Sequence, residues 1–191
     1  MNKLLIGILL CSIGATASAS PWTVDSKNSN VNFVSTKKVN VAEVHHFNAF
    51  SGQLDDTGKF ALTIELASVW TNIEIRDTRM KELLFEVGKF PTLSLSSNIE
   101  LAKLADIPVG GTSVMDISVE LSLHGKTQTM PVTVTIAKLS NKQLLVVSTQ
   151  PVIVNAANFG LTSGIEKLRD IAGLTSISQA VPVSFVLNLT R

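Results

Sequence analysis

Residues 115–124 read Met115, Asp116, Ile117, Ser118, Val119, Glu120, Leu121, Ser122, Leu123 and His124, with Gly125 and Lys126 following. Apolar and polar side chains alternate without a slip. A two-residue repeat sends one set to each face of a β-strand, so this strand has a dry face and a wet face. The same alternation recurs on both sides. Phe60, Leu62, Ile64 and Leu66 alternate with Ala61, Thr63, Glu65 and Ala67; Leu93 and Leu95 with Ser94 and Ser96; Val132, Val134 and Ile136 with Thr133 and Thr135; and Phe185, Leu187 and Leu189 with Ser184 and Asn188. One-sided burial belongs to antiparallel sheets, because parallel strands are covered on both faces and read as continuous apolar runs. Only Leu144-Leu145-Val146-Val147 is continuous, which predicts a strand covered on both sides.

Turn signals at Asp55-Asp56-Thr57-Gly58, Pro108-Val109-Gly110-Gly111, His124-Gly125-Lys126 and Ser140-Asn141-Lys142 divide the chain into eight predicted strands. Their expected extents are 22–36, 44–54, 59–69, 91–102, 112–124, 127–139, 142–154 and 180–190. Two segments break the rhythm. Met80, Leu83, Leu84 and Val87 have helical spacing, which predicts a helix over 77–87 with Asp77 or Thr78 at its start and an Asp77–Lys81 pair. A second helix is expected over 164–172, with Ser163 and Glu166 in capping-box relation and Gly173 as its stop. Antiparallel strands of this number fold as a sandwich or close into a barrel. The helices fall between the third and fourth strands and before the last, where they would cap a barrel's end. The expected fold is all-β, an antiparallel eight-stranded barrel with one or two short helices capping it.

Composition removes several function classes. The chain has 191 residues, 16 Lys+Arg against 15 Asp+Glu, and a mean hydropathy of +0.32. There is no basic field for nucleic acid, and with no Tyr and 5% aromatics there is no base-stacking platform. Met1-Asn2-Lys3, the apolar run Leu4–Ile13 and the small residues Ala17-Ser18-Ala19 resemble a secretory signal, too short to span a bilayer of roughly 20 helical residues. Residues 1–19 are therefore expected to be cleaved near Ala19, leaving one domain over 20–191 in a bacterial periplasm. Cys11 follows Leu10 rather than a small residue, so lipoprotein acylation is rejected; the only cysteine leaves with the signal, and no disulfide is available.

A magnitude bears on the interior. An empty apolar void costs on the order of 24 cal/mol per Å3, so a lipid-sized void of about 400 Å3 would cost roughly 10 kcal/mol, comparable to a whole domain's stability. The interior is either packed by its own side chains or occupied by an apolar molecule. The inward sets nominate Phe33, Phe47, Leu62, Ile64, Met80, Leu84, Phe85, Leu93, Ile117, Val119, Leu121, Phe159 and Phe185 as core or ligand wall. Arg76 and Arg79, near the first helix's start, are either solvated cap charges or a polar mouth facing a phosphate or other head group.

No metal-protease helix, nucleophile elbow or nucleotide loop is present, so neither an enzyme nor a cofactor is expected. His45 and His46 are adjacent on a strand and face opposite ways, which prevents chelation from one face and suggests a surface or rim role. A weak hydrolase or metal protein using His45, His46 or His124 stays as one alternative, and a ligand-free structural or stress-related module as another.

Several segments together resemble the YceI-like family of exported bacterial lipid-binding barrels. Trp22, Asp25, Ser29, Val31 and Phe33 are similar to its opening motif. Ser68 with Thr71, Arg76-Asp77 and the run Leu84 to Pro91 resemble its central one; Val119 to Thr127 and Asn155 to Leu161 complete the order. The resemblance implies a lipocalin-like barrel holding a polyisoprenoid, a quinone or a fatty-acyl compound. It also implies a departure: Ala156 and Asn158 stand where the family often has Arg and Asp, which makes Asn158 a polar-mouth candidate with altered charge. His45-His46 stands where a Gly usually precedes the strand Phe. The expected partner is an amphiphilic lipid or isoprenoid, with no nucleic acid and no integral membrane span, and a homodimer left open.

Overall fold

The computed structural model describes residues 20–191; the signal segment over 1–19, with Cys11, lies outside the described residues. Strand β1 comprises Trp22–Val24 and Asn30–Lys37; β2, Val41–Phe47 and Phe50–Leu54; β3, Lys59–Glu65 and Val69–Trp70. Then come β4 (Thr92–Asn98), β5 (Thr112–Leu123), β6 (Lys126–Ser140), β7 (Gln143–Ser148 with Val152–Asn155) and β8 (Ala180–Thr190). Each strand pairs antiparallel with its neighbour in sequence, and β8 returns to β1 through Val24↔Leu189 and Phe33↔Val183. The result is a closed, eight-stranded up-and-down barrel. Closure removes most of the sheet's edge, leaving residues 41–45 and 112–118 paired on one side only.

The first three strands are interrupted side by side. A 3-10 turn, Ser26–Asn28, divides β1; Asn48-Ala49 divides β2; a second 3-10 turn, Leu66–Ser68, divides β3. Side chains satisfy the freed backbone groups. The Asp25 carboxylate accepts from the Lys27 amide, and the Ser29 hydroxyl accepts from the Asn188 amide. The Ser68 hydroxyl accepts from the Ala49 amide. Each break offsets the alternation, so Phe47 and Phe50, three residues apart, are both buried.

Among the described residues, three α-helices cover the ends. Helix α1, Glu74–Arg79, continues into a π turn, Met80–Leu84, marked by the Phe85 amide donating to the Met80 carbonyl. Helix α2 is Leu101–Ala105 and α3 is Thr162–Ile171. The mouth end of the barrel carries α1, α3 and the β1–β2 and β5–β6 hairpins. The base end carries α2 and the β2–β3 and β6–β7 turns. His124 and Gly125, with φ of 52° and 72°, form the two-residue turn between β5 and β6 expected from their sequence.

Several expectations are corrected. The fourth strand ends at Asn98, not 102, because Leu101 and Leu104 at helical spacing open α2 instead. The first helix begins at Glu74 with Ile73 at its N-cap, so neither Asp77 nor Thr78 caps it, and Asp77 accepts the Thr71 hydroxyl within the helix's first turns. The second helix begins at Thr162 after Leu161, which leaves Ser163 inside the helix without a capping role, while Glu166 pairs with Arg169. The run Leu144–Val147 is not covered on both faces: Leu144 and Val146 face inward, whereas Leu145 and Val147 are half-buried outside.

Candidate functional site

Inward side chains from all eight strands enclose a cavity of about 540 Å3. Phe33, Phe47, Leu62, Ile64, Leu93, Ile117, Val119, Leu121 and Phe185 line its wall, and Met80, Leu84 and Phe85 line it from the π turn and the residue after it. Strict alternation explains this: a barrel's inward set is one face of each strand, and here that face is aliphatic or aromatic. Leu104 of α2 borders the cavity from the base end and is buried.

Two nominated residues stand elsewhere. Phe159 is fully buried but does not border the cavity; it sits in a 3-10 turn, Ala156–Phe159, where two-residue alternation no longer applies. Asn158, in the same turn, is exposed and away from the cavity, so it is not part of a polar mouth. Its neighbour Ala156 does border the cavity.

The cavity reaches the surface between α1 and the segment after α3. Ile73 and Ile75 both line it and remain 47% and 56% exposed, while Ala172, Leu174 and Ile177 form the opposite lip. Helix α3 meets the π turn closely at Gly164, where a Cβ would lie 2.6 Å from the Leu83 carbonyl oxygen.

A polar band crosses the wall just inside this lip. Glu43 accepts from Lys37 Nζ at 2.8 Å and from Arg76 Nη1 at 2.6 Å. Arg76 also donates from Nε to the Thr71 hydroxyl at 2.8 Å and from Nη2 to the Thr71 carbonyl at 2.6 Å. The Lys37 hydrogen bond, with Arg76 adding to it, holds the Glu43 carboxyl below the usual carboxylate range. Arg79 lines the cavity half-buried, and no carboxylate pairs with it among the described residues.

One step deeper lies His45, buried where its adjacent-pair pattern suggests a surface or rim position. It is 2% exposed and borders the cavity, with Nε2 3.0 Å from the Ser35 hydroxyl and Nδ1 without a partner. Burial, reinforced by Arg76, pushes its pKa down and keeps the ring neutral. The signal was present: Phe47, two residues on and nominated as inward, shares a face with His45. His46 points outward, stacked on Trp70 at 4.6 Å. His124 sits at the β5–β6 hairpin, 3.0 Å from Glu86. The three histidines do not converge, and no group of three or more potential metal ligands forms among the described residues. The Ser35–His45 pair has no acid on Nδ1 to orient the ring as a base, so the hydrolase arrangement is incomplete.

A YceI-like domain model matches residues 22–189. Among solved structures, a polyisoprenoid-binding domain from Saccharophagus degradans superposes with a TM-score of 0.86 at 36% identity, covering 88% of this chain and 97% of that one. BcnA of Burkholderia cenocepacia follows at 0.67 and 23% identity, covering 86% and 98%. The YCEI protein of Campylobacter jejuni aligns at 0.56 and 14% identity, covering 77% and 84%; these last two show the shared fold alone. No curated protein matches the chain.

Proposed function

We propose that this chain, which belongs to the YceI-like family, binds one amphiphilic lipid and carries it through the periplasm. The lipid is a polyisoprenoid, a quinone or a fatty-acyl compound, its tail in the barrel and its polar end toward the lip. One observation carries this reading: a cavity of about 540 Å3, walled by apolar side chains and bordered by charge only at its mouth. Left empty, such an apolar volume would cost on the order of 13 kcal/mol at 24 cal/mol per Å3, against a domain's total of about 5–15 kcal/mol. Filling it reverses the sign. Each buried methylene contributes roughly 0.8 kcal/mol, so about a dozen offset the ordering costs of binding.

The similar Saccharophagus domain, described as polyisoprenoid-binding, supports the ligand class. A ligand-free module would fill the barrel with its own side chains, and a cavity of about 540 Å3 favours the ligand-binding reading over it. Arg79 at the lip supplies a positive charge for an anionic head when the ligand carries one. Exit requires α1 and its π turn to move aside, since they form one wall of the opening. The periplasmic assignment rests on the signal-like residues 1–19, and a mature N-terminus at Ser20 in the envelope fraction would bear it out. Organic extraction of protein purified from its native envelope, followed by mass spectrometry, tests the binding. About one amphiphile per chain is expected. Absence of any stoichiometric lipid overturns the proposal.

A further inference from the structure

The cavity wall is apolar except for a few groups; Arg79 waits at the lip unpaired among the described residues, and deeper in only one buried polar atom lacks a partner. Lys37, Glu43 and Arg76 satisfy each other at the rim, their side chains 24–34% exposed. His45 lies two residues further along β2, on the same face as Glu43 and Phe47, at the boundary between that charged rim and the apolar depth. Its ring makes an edge contact with Phe33, centroids 5.3 Å apart, and its Nε2 is taken by Ser35. Nδ1 is the one buried side-chain nitrogen or oxygen without a hydrogen-bond partner among the described residues.

Buried polar atoms without partners are rare, because such an atom has given up water and received nothing. A ligand that enters the cavity brings the missing partner. From this we propose that His45 and Ser35 form a polar specificity site that hydrogen-bonds one neutral oxygen, a hydroxyl or a carbonyl, of the bound amphiphile. This rests on the reading that the cavity holds an amphiphile, and adds where its polar atom goes and what kind it is.

The chemistry favours a neutral oxygen over an anion. A neutral imidazole offers one donor and one acceptor, and with Nε2 engaged by a hydroxyl that can turn, Nδ1 takes either role. When Ser35 donates to Nε2, Nδ1–H meets a carbonyl; when Nε2–H donates to Ser35, bare Nδ1 meets a hydroxyl. A carboxylate or phosphate at this depth would lose its hydration beside a ring that burial keeps neutral. Such a head would stop at the lip, against Arg79. Nδ1 is itself covered, so engagement includes a turn of the imidazole about its Cβ–Cγ bond.

Matched twelve-carbon probes separate these cases: dodecane, 1-dodecanol, 2-dodecanone and dodecanoate, each displacing the neutral dye N-phenyl-1-naphthylamine from delipidated full-length mature protein. The wild type is expected to prefer the alcohol and the ketone over the alkane about tenfold, one hydrogen bond's worth at 1.4 kcal/mol per tenfold. His45→Phe should bring that preference within about twofold while dodecane binding persists, and Ser35→Ala should reduce it partly. Dodecanoate should respond to Arg79→Gln and not to His45→Phe. In the wild type, the His45 15N resonances should shift with alcohol or ketone and stay put with alkane, a readout that needs no variant to fold. An alcohol preference that survives His45→Phe, or 15N resonances indifferent to the oxygen, overturns the site while leaving the lipid reading intact. If none of the four probes binds, the lipid reading itself fails, and this inference with it.

Discussion

The two ends of the barrel are built by different rules. At the base, the positions requiring a left-handed backbone are glycines: Gly58 at φ 89° and Gly110 at φ 84°. The β2–β3 turn there is locked, the Asp55 carboxylate accepting from the Thr57 and Lys59 amides. At the mouth, Gly125, Gly160 and Gly173 are joined in the left-handed region by residues with side chains: Lys38, Val39, Asn72, Glu86 and His124, with φ between 47° and 69°. The π turn and the exposed Ile73 and Ile75 belong to this end too. Side-chain-bearing residues in left-handed backbone cost free energy and persist where the surrounding structure is held to another requirement. The base is built for stability and the mouth for access.

The largest break of this contrast comes at the base. Gly58→Val would place a branched side chain at φ 89° with its Cβ against the Ile99 carbonyl oxygen, on a turn whose own carbonyl accepts the Ile99 amide. A loss of about 3 kcal/mol or more in chemical denaturation is expected, spread over the whole barrel. A cost under 1 kcal/mol would show that the base is not the anchor.

Gly164→Val should be smaller and local. The added side chain meets the backbone of Leu83 and Leu84, so α3 must back away from the π turn. A cost of about 1–3 kcal/mol is expected, typical of overpacking. Hydrogen exchange should quicken in α1 and α3 while strand amides keep their protection, and bound lipid should leave faster. Uniform deprotection of the strands would mean that the two ends unfold as one unit.

Acid should then loosen the mouth first. His45 has a folded pKa below its ordinary 6.5, with Arg76, Glu43, Lys37, Asp77 and Ser35 facing it. The unfolded chain takes up that proton sooner, so stability is full above pH 6.5 and falls as pH drops below it. Glu43 is lowered from 4.5, so its contribution is lost only as pH falls below that value. Unfolding curves from pH 7.5 to 3 should therefore show two successive declines, and His45→Phe should remove the first alone. A single decline below pH 4.5 in the wild type would exclude His45 from the balance.

Much of this contrast could be read from the residues, and the unread parts have a common cause. One dry face per strand demands two-residue alternation, so the strands and the wall positions from Phe33 to Phe185 were legible. The breaks in β1, β2 and β3 were not, because short polar side chains satisfying backbone groups leave no periodic trace. Asp25, Ser29 and Ser68, conspicuous in the family resemblance, hold those breaks rather than touch the cavity. Phe159 and Asn158 were misplaced for the related reason that a 3-10 turn has no alternating faces. His45 was legible through Phe47, two residues away, yet a histidine among polar neighbours reads as surface until the barrel closes around it.

The smallest effect is the sharpest probe of what the mouth's strain is for. Val39 is β-branched, sits at φ 69° and is 75% exposed, so it has almost no burial to lose. Val39→Gly relieves about 1–2 kcal/mol of left-handed strain but adds about 0.5–1 kcal/mol of unfolded-chain entropy. The net change should be a gain of no more than about 1.5 kcal/mol, seen as a slightly raised Tm. Because the side chain is out in solvent, a substantial loss of stability would mean that it makes a contact holding the hairpin. A gain would mean that the barrel carries an exposed apolar side chain in strained backbone beside its own opening, against its stability. Such a residue is retained by what happens at the mouth, since nothing in the fold rewards it.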